Sequence, residues 1–111
     1  MPQRLPEFKA EFFKALASPL RIRILDCLRD GSRAVKEISA QLGVGATNIS
    51  QQLAILRSKN LVVANKAGSN VYYEVRDPRI FKLLDVAREI FGRQLSDVRR
   101  TLRELRAEAR A

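Results

Sequence analysis

The sequence has no histidine, no tryptophan, one cysteine and one methionine. Each shortage excludes something. Without imidazole there is no base for a Ser–His–Asp or Cys–His arrangement and no ligand set for the common zinc enzymes. The single Cys27 cannot close an internal disulfide, which fits a reducing compartment. No run approaches the ~18 apolar residues of a membrane span. The opening Met1-Pro2-Gln3-Arg4-Leu5-Pro6 is not followed by the apolar stretch of a secretory leader. No glycine-rich phosphate loop is present. A cytoplasmic location is therefore expected, with no enzymatic activity, no cofactor and no metal.

What is present is charge of one sign. The 111 residues, a length suited to one domain, hold 21 Lys+Arg against 12 Asp+Glu, a net charge of +9. With 46% hydrophobic and 30% charged residues the composition is globular, and a pI near 10.6 points to a polyanionic partner. The distribution says more than the total. Between Glu37 and Glu74 there is no carboxylate, while Arg57, Lys59 and Lys66 occur among Thr47, Asn48, Ser50, Gln51, Gln52, Ser58, Asn65, Ser69 and Asn70. Phosphate repels carboxylates, whereas amides and hydroxyls bond to phosphates and base edges. An acid-free, amide-rich middle is therefore suited to face nucleic acid.

Apolar spacing predicts a first amphipathic helix over about 7–17 from Phe8, Phe12, Phe13 and Leu16. Ser18 is placed to cap the next helix, with Pro19 in its first turn. That second helix carries Leu20, Ile24, Leu25 and Leu28 and is expected to stop at Asp30-Gly31, the glycine being left-handed. A third helix over about 34–42 (Val35, Ile38, Leu42) is broken by Gly43-Val44-Gly45, and a fourth spans 46–59 with Ala46, Ile49, Leu53 and Leu56. The period then becomes that of strands, at 61–66 and 71–76, joined by the turn residues Ala67-Gly68-Ser69-Asn70. A last helix over about 78–107 carries a heptad-like seam from Ile80 and Leu84 through Leu95, Val98, Leu102 and Leu105.

Two short helices around a glycine-containing turn, followed directly by a hairpin, predict a mainly α (α+β) fold. It is a winged helix-turn-helix of five helices and a two-stranded wing, with the helix-turn-helix at about 34–59 and the wing at 61–76. The fourth helix would enter the major groove. With Ile49 inward, Thr47, Asn48 and Gln51 are the candidates for base edges: an amide can bond adenine bidentately, and the threonine methyl can meet that of thymine. Ser50, Gln52 and Arg57 are candidates for phosphate, as is Lys66 near the wing, which would add salt dependence without specificity.

Several stretches carry a family resemblance. Phe12-Phe13-Lys14-Ala15-Leu16-Ala17-Ser18-Pro19-Leu20-Arg21-Ile22-Arg23-Ile24-Leu25 resembles the opening signature of ArsR-family bacterial transcriptional regulators. Val35-Lys36-Glu37-Ile38, Gly43-Val44, Asn48 to Leu56 and Asn60-Leu61-Val62 are similar to that family's helix-turn-helix, and Gly68 with Val71-Tyr72-Tyr73 to its wing. The resemblance covers about residues 8–92. It implies a homodimeric repressor, paired through its first and last helices, that leaves DNA on sensing a metal ion or another inducer. Metal-sensing members carry Cys-x-Cys on the third helix or His and carboxylates on the last. Here the third helix has no cysteine and the chain has no histidine, so a metal sensor is not expected. Ser69 stands where many wings have Arg. Ala34 stands where a Ser or Thr cap is common, leaving Ser32 as a cap for an earlier start.

Cys27 shares the apolar face of its helix with Leu20 and Ile24. It reads as a small core side chain, with a redox-sensing thiol near Arg23 and Arg29 as the alternative. The last helix, roughly 45 Å long, exceeds what so small a domain can cover. A second copy of the chain is the expected partner, with Leu5, Phe8, Phe12, Leu95, Val98, Leu102 and Leu105 as interface candidates. The expected function is a sequence-specific regulator of transcription, a repressor binding an inverted repeat as a homodimer. The alternative is a non-specific architectural DNA binder.

Overall fold

A computed structural model describes residues 5–110. The leader reading at Met1–Pro6 therefore lies largely outside the described residues. The chain divides into two compact units, Met1–Pro78 and Arg79–Ala111.

In the first unit the order is α1 (Leu5–Leu16), α2 (Pro19–Cys27), β1 (Arg33–Ala34), α3 (Val35–Leu42), α4 (Ala46–Ser58), β2 (Val62–Ala67) and β3 (Asn70–Val75). Its core consists of Ala15, Leu16, Ile24, Leu25, Cys27, Leu28, Ile38, Ile49, Leu53, Leu56, Leu61 and Val62, contributed by all four helices and the start of the hairpin. Ser18 caps α2 as expected: its Oγ accepts the Arg21 backbone N–H at 3.3 Å, and Pro19 takes a first-turn position where no amide is needed. The end of α4 is a Schellman motif. Asn60 adopts φ 61°, its N–H donates to the Arg57 carbonyl at 3.0 Å, and the Leu61 N–H donates to that of Leu56 at 2.9 Å. Leu56 and Leu61, the two apolar positions of that motif, are both buried.

Three expectations are corrected and one strand is added. The two-stranded wing of β2 and β3 is joined by a third strand, in the order β1-β3-β2: Arg33 pairs with Tyr73 and Ala34 with Tyr72 on the far side of β3. A two-residue strand leaves no periodicity to read. α2 ends at Cys27 with Leu28 as cap, three residues short of Asp30-Gly31. Tight turns from Leu28, Arg29 and Gly31 follow, and Gly31, at φ 138°, serves the loop instead of the helix end. The third helix begins at Val35, so Ser32 does not cap it. Ala34 occupies the cap position without a side-chain acceptor, and Glu37 supplies half of a capping box by accepting the Ala34 N–H at 2.9 Å. The hairpin loop contracts to Gly68-Ser69, because Ala67 and Asn70 are already paired. Only Gly68 of the two has positive φ (65°), the sign pattern of a type II′ turn.

The second unit is α5 (Arg79–Arg110), a single helix of 32 residues, longer than the sequence pattern suggested. At 1.5 Å per residue it spans about 48 Å. Ile80 is buried, and every residue from 88 to 110 is exposed. Among the described residues no helix is long and apolar enough to cross a membrane.

Candidate nucleic-acid interface

The turn between α3 and α4 is closed by Ser39. Its carbonyl accepts the N–H groups of Gly43 (2.9 Å) and Val44 (3.3 Å), and its hydroxyl donates to the Val44 carbonyl. Gly43 takes the left-handed conformation, φ 67°, that lets the chain reverse there. α4 then starts at Ala46, with Ile49, Leu53 and Leu56 turned inward and fully buried. That burial fixes the rotation of the helix about its axis. Thr47, Asn48, Ser50, Gln51, Ala54, Arg57 and Ser58 are consequently exposed, and Thr47, Asn48, Ser50 and Gln51 all lie in the two N-terminal turns, where a recognition helix contacts bases.

Gln52 behaves differently from its neighbours. It is half-buried. Its Oε1 accepts from Arg21 Nη1 at 3.1 Å, and its Nε2 donates to Asn48 Oδ1 at 3.3 Å. The structure thus gives this expected phosphate ligand two partners inside the protein. Lys66 lies exposed on β2, opposite Val71 near the hairpin tip.

Sequence reasoning missed the residues that hold α4 in place. Arg21 bonds through Nε to the Ala15 carbonyl (2.6 Å) and through Nη2 to that of Lys14 (3.3 Å), besides Gln52. Arg23 Nη2 donates to the Leu42 carbonyl at 3.1 Å. Both guanidiniums thus serve helix C-termini, where carbonyls lack helical donors and the dipole favours a cation. At the other end of α4, Lys59 Nζ meets Glu11 Oε2 of α1 at 3.1 Å. The hydrogen bond and the charge of Lys59, with Lys14 nearby, hold the Glu11 carboxyl below its ordinary range. The signal for Arg21 was its spacing from the Ser18-Pro19 helix start, but its partners lie as far as 31 residues away.

The sequence interval without carboxylates, residues 38–73, runs from within α3 through the turn and α4 into β3 of the hairpin. Of the acids that bound it, Glu37 is engaged with the Ala34 N–H and Glu74 accepts from Asn65 Nδ2 at 3.0 Å. Cys27 sits in the core at 6% exposure. Loss of hydration pushes its thiol pKa up, against the pull of Arg33 and Arg23. Among the described residues no group of three His, Cys, Asp or Glu side chains is placed to hold a metal ion.

The candidates for self-association divide as follows. On α1, Leu5 and Phe8 are exposed, whereas Phe12 is half-buried and meets Phe13 edge-on, ring centroids 5.3 Å apart. On α5, Leu95 (51%), Val98 (54%), Leu102 (47%) and Leu105 (55%) are all exposed.

A helix pair closed by a tight turn, the second helix polar on its outer face and running through one left-handed residue into a hairpin, defines the winged helix-turn-helix class. Comparison with known proteins agrees. The description "Bacterial regulatory protein, arsR family" matches residues 18–63. The chain is 45% identical over 104 residues to the HTH-type transcriptional regulator Rv0081 of Mycobacterium tuberculosis, covering 93% of this chain and 91% of that protein. The crystal structure of Rv0081 superposes with a TM-score of 0.76 over 84% of this chain and 94% of that one. The homodimeric winged helix-turn-helix DNA-binding domain of Mb0332 from Mycobacterium bovis, 31% identical, gives a TM-score of 0.77 over 86% and 89%. The transcriptional repressor BigR from Xylella fastidiosa, 28% identical, gives 0.70 over 82% and 92%. The chain belongs to the arsR family of bacterial regulatory proteins.

Proposed function

We propose that this regulator is a repressor that binds an inverted-repeat operator as a homodimer, acting by occupancy and not by catalysis. α4 lies in the major groove: Thr47, Asn48 and Gln51 face base edges, and Ser50 and Arg57 face phosphates. Lys66 of the wing meets an adjacent phosphate, and Gln52 acts on the groove through Asn48. A second copy is held through Leu5, Phe8 and Phe12 of α1 and through Leu95, Val98, Leu102 and Leu105 of α5. The observation that carries the reading is the rotation of α4. Three fully buried aliphatic residues turn a carboxylate-free face to solvent whose first two turns carry Thr47, Asn48, Ser50 and Gln51. The homodimeric state of the Mb0332 domain and the repressor role of BigR support the remaining terms.

Footprinting on genomic promoter DNA tests this. Two protected half-sites related by a dyad, with centres about 34 Å apart, are expected. Gln51→Ala should lower discrimination between operator and random DNA by about 1–3 kcal/mol per half-site. Lys66→Ala should weaken binding to both alike and reduce the salt slope by about two, one for each subunit of the dimer. Equal affinity for operator and random DNA, with the two variants indistinguishable, would overturn specificity in favour of architectural binding.

A further inference from the structure

The hydrogen bonds that start at Arg21 have a direction. A guanidinium carries five N–H donors and no acceptor. Arg21 is held by two of the last carbonyls of α1, Ala15 at 2.6 Å and Lys14 at 3.3 Å, and its Nη1 reaches the Gln52 side chain at 3.1 Å. Because arginine can only donate, the Gln52 atom facing it has to be the oxygen. The Gln52 NH2 group is therefore on the other side, and it lies 3.3 Å from the Asn48 side chain, one turn earlier on α4. Since that group donates, the Asn48 atom facing it has to be the oxygen as well. The NH2 of Asn48 is left pointing away from Gln52, on an exposed residue in the first turn of the helix.

We infer that Arg21, which has no place on the outer face of α4, is a specificity-determining residue. Through Gln52 it sets the amide of Asn48 with its donors outward. This inference rests on the proposed placement of α4 in the major groove. An adenine edge asks an amide for one donor and one acceptor, whereas guanine presents two acceptors, N7 and O6. With its oxygen engaged by Gln52, Asn48 selects guanine, in contrast to the adenine pairing that its residue type alone suggests. Arg21 is a positioning residue here: it touches no base, and it determines which base is accepted.

The test is selection of bound duplexes from a random pool with the full chain, its Asn48→Ala, Arg21→Met and Gln52→Glu variants, and thermal melting of each as a control. Asn48→Ala identifies the base position read by residue 48. At that position the unsubstituted protein should select guanine. Arg21→Met should lower that preference by about tenfold, the scale of one hydrogen bond, and leave the other positions unchanged. Gln52→Glu still accepts from Arg21 but offers Asn48 only an acceptor. The amide must then turn its NH2 inward, and the preferred base should become one with an exocyclic amine, cytosine or adenine. This variant keeps the anchor on α1 and guards against a folding failure of Arg21→Met. A position altered by Asn48→Ala yet indifferent to both other variants overturns the inference. Side-chain amide exchange, followed by NMR on free protein, reads the same switch without DNA. Gln52 Nε2 should exchange more slowly than Asn48 Nδ2 in the unsubstituted protein, and Asn48 Nδ2 should exchange more slowly in Gln52→Glu than in the unsubstituted protein. Unchanged exchange in that variant overturns the relay itself, whereas changed exchange with no sequence selection overturns only the placement of α4 on DNA.

Discussion

Residues 1–78 and 79–111 are both patterned for burial, but only the first unit achieves it within one chain. Its aliphatic residues at helical spacing, Ile24, Ile38, Ile49, Leu53 and Leu56, are fully buried. On α5 the seam residues from Phe91 to Leu105 are about half exposed or more, although their spacing is at least as regular. The same code, apolar residues every three or four positions, thus has two readings. A broad stripe on short helices with turns between them is satisfied locally. A narrow heptad seam on one long helix requires another helix. Periodicity identifies the buried face and leaves open which chain buries it.

This contrast can be broken most strongly at Leu53. Leu53→Ala, in the fully buried row under the recognition face, should cost about 3 kcal/mol, read as a lower denaturant midpoint at unchanged slope. A loss under about 1 kcal/mol would mean that the row is not a packed core. On α5 the expectation reverses. Val98→Glu should leave the unfolding transition of the helix-turn-helix in place and weaken self-association by at least about 2 kcal/mol, some thirtyfold in Kd by sedimentation. An unchanged mass distribution would remove α5 from the interface. A smaller effect is expected at Gly92, where an added Cβ meets nothing within 4 Å. Gly92→Ala should stabilise α5 by about 0.5–1 kcal/mol, measured as a higher helical melting temperature. The smallest effect belongs to Cys27 and is confined to alkaline conditions. Its folded thiol pKa is raised, so above about pH 8.5 the unfolded chain releases a proton that the folded one keeps, and stability falls as pH rises. Below that range the thiol makes no pH-dependent contribution, and Cys27→Ala should abolish the alkaline decline. A decline that persists would assign it to another group.

Much of the first unit was legible because its signals are local. The spacing of Ile49, Leu53 and Leu56 fixes both the extent and the rotation of α4, and Ser18-Pro19 marks a helix start that the structure reproduces. What stayed hidden is short or distant. β1 is two residues long and shows no alternation. Asp30-Gly31 carries the composition of a helix stop, but α2 has already ended at Cys27, so the pair marks the loop. Gln52 looks like any exposed amide on a helical wheel. Only the fold brings Arg21 against it and converts a surface residue into an internal link. Phe12 and Phe13 are adjacent in sequence, and their spacing did not show which of them would be half-buried.

The junction at Asn60 has a consequence for how new binding sites can arise. The Leu61 N–H returns to the carbonyl of Leu56, and the Leu61 carbonyl accepts the Arg76 N–H at 3.0 Å, which clamps the base of the hairpin to the end of α4. One residue, Leu61, thus ties the end of α4 to both strands of the wing. On the proposed placement of α4 in the major groove, substitutions at Thr47, Asn48 or Gln51 would change the letters read, while this junction, built from other residues, would keep the spacing of helix and wing.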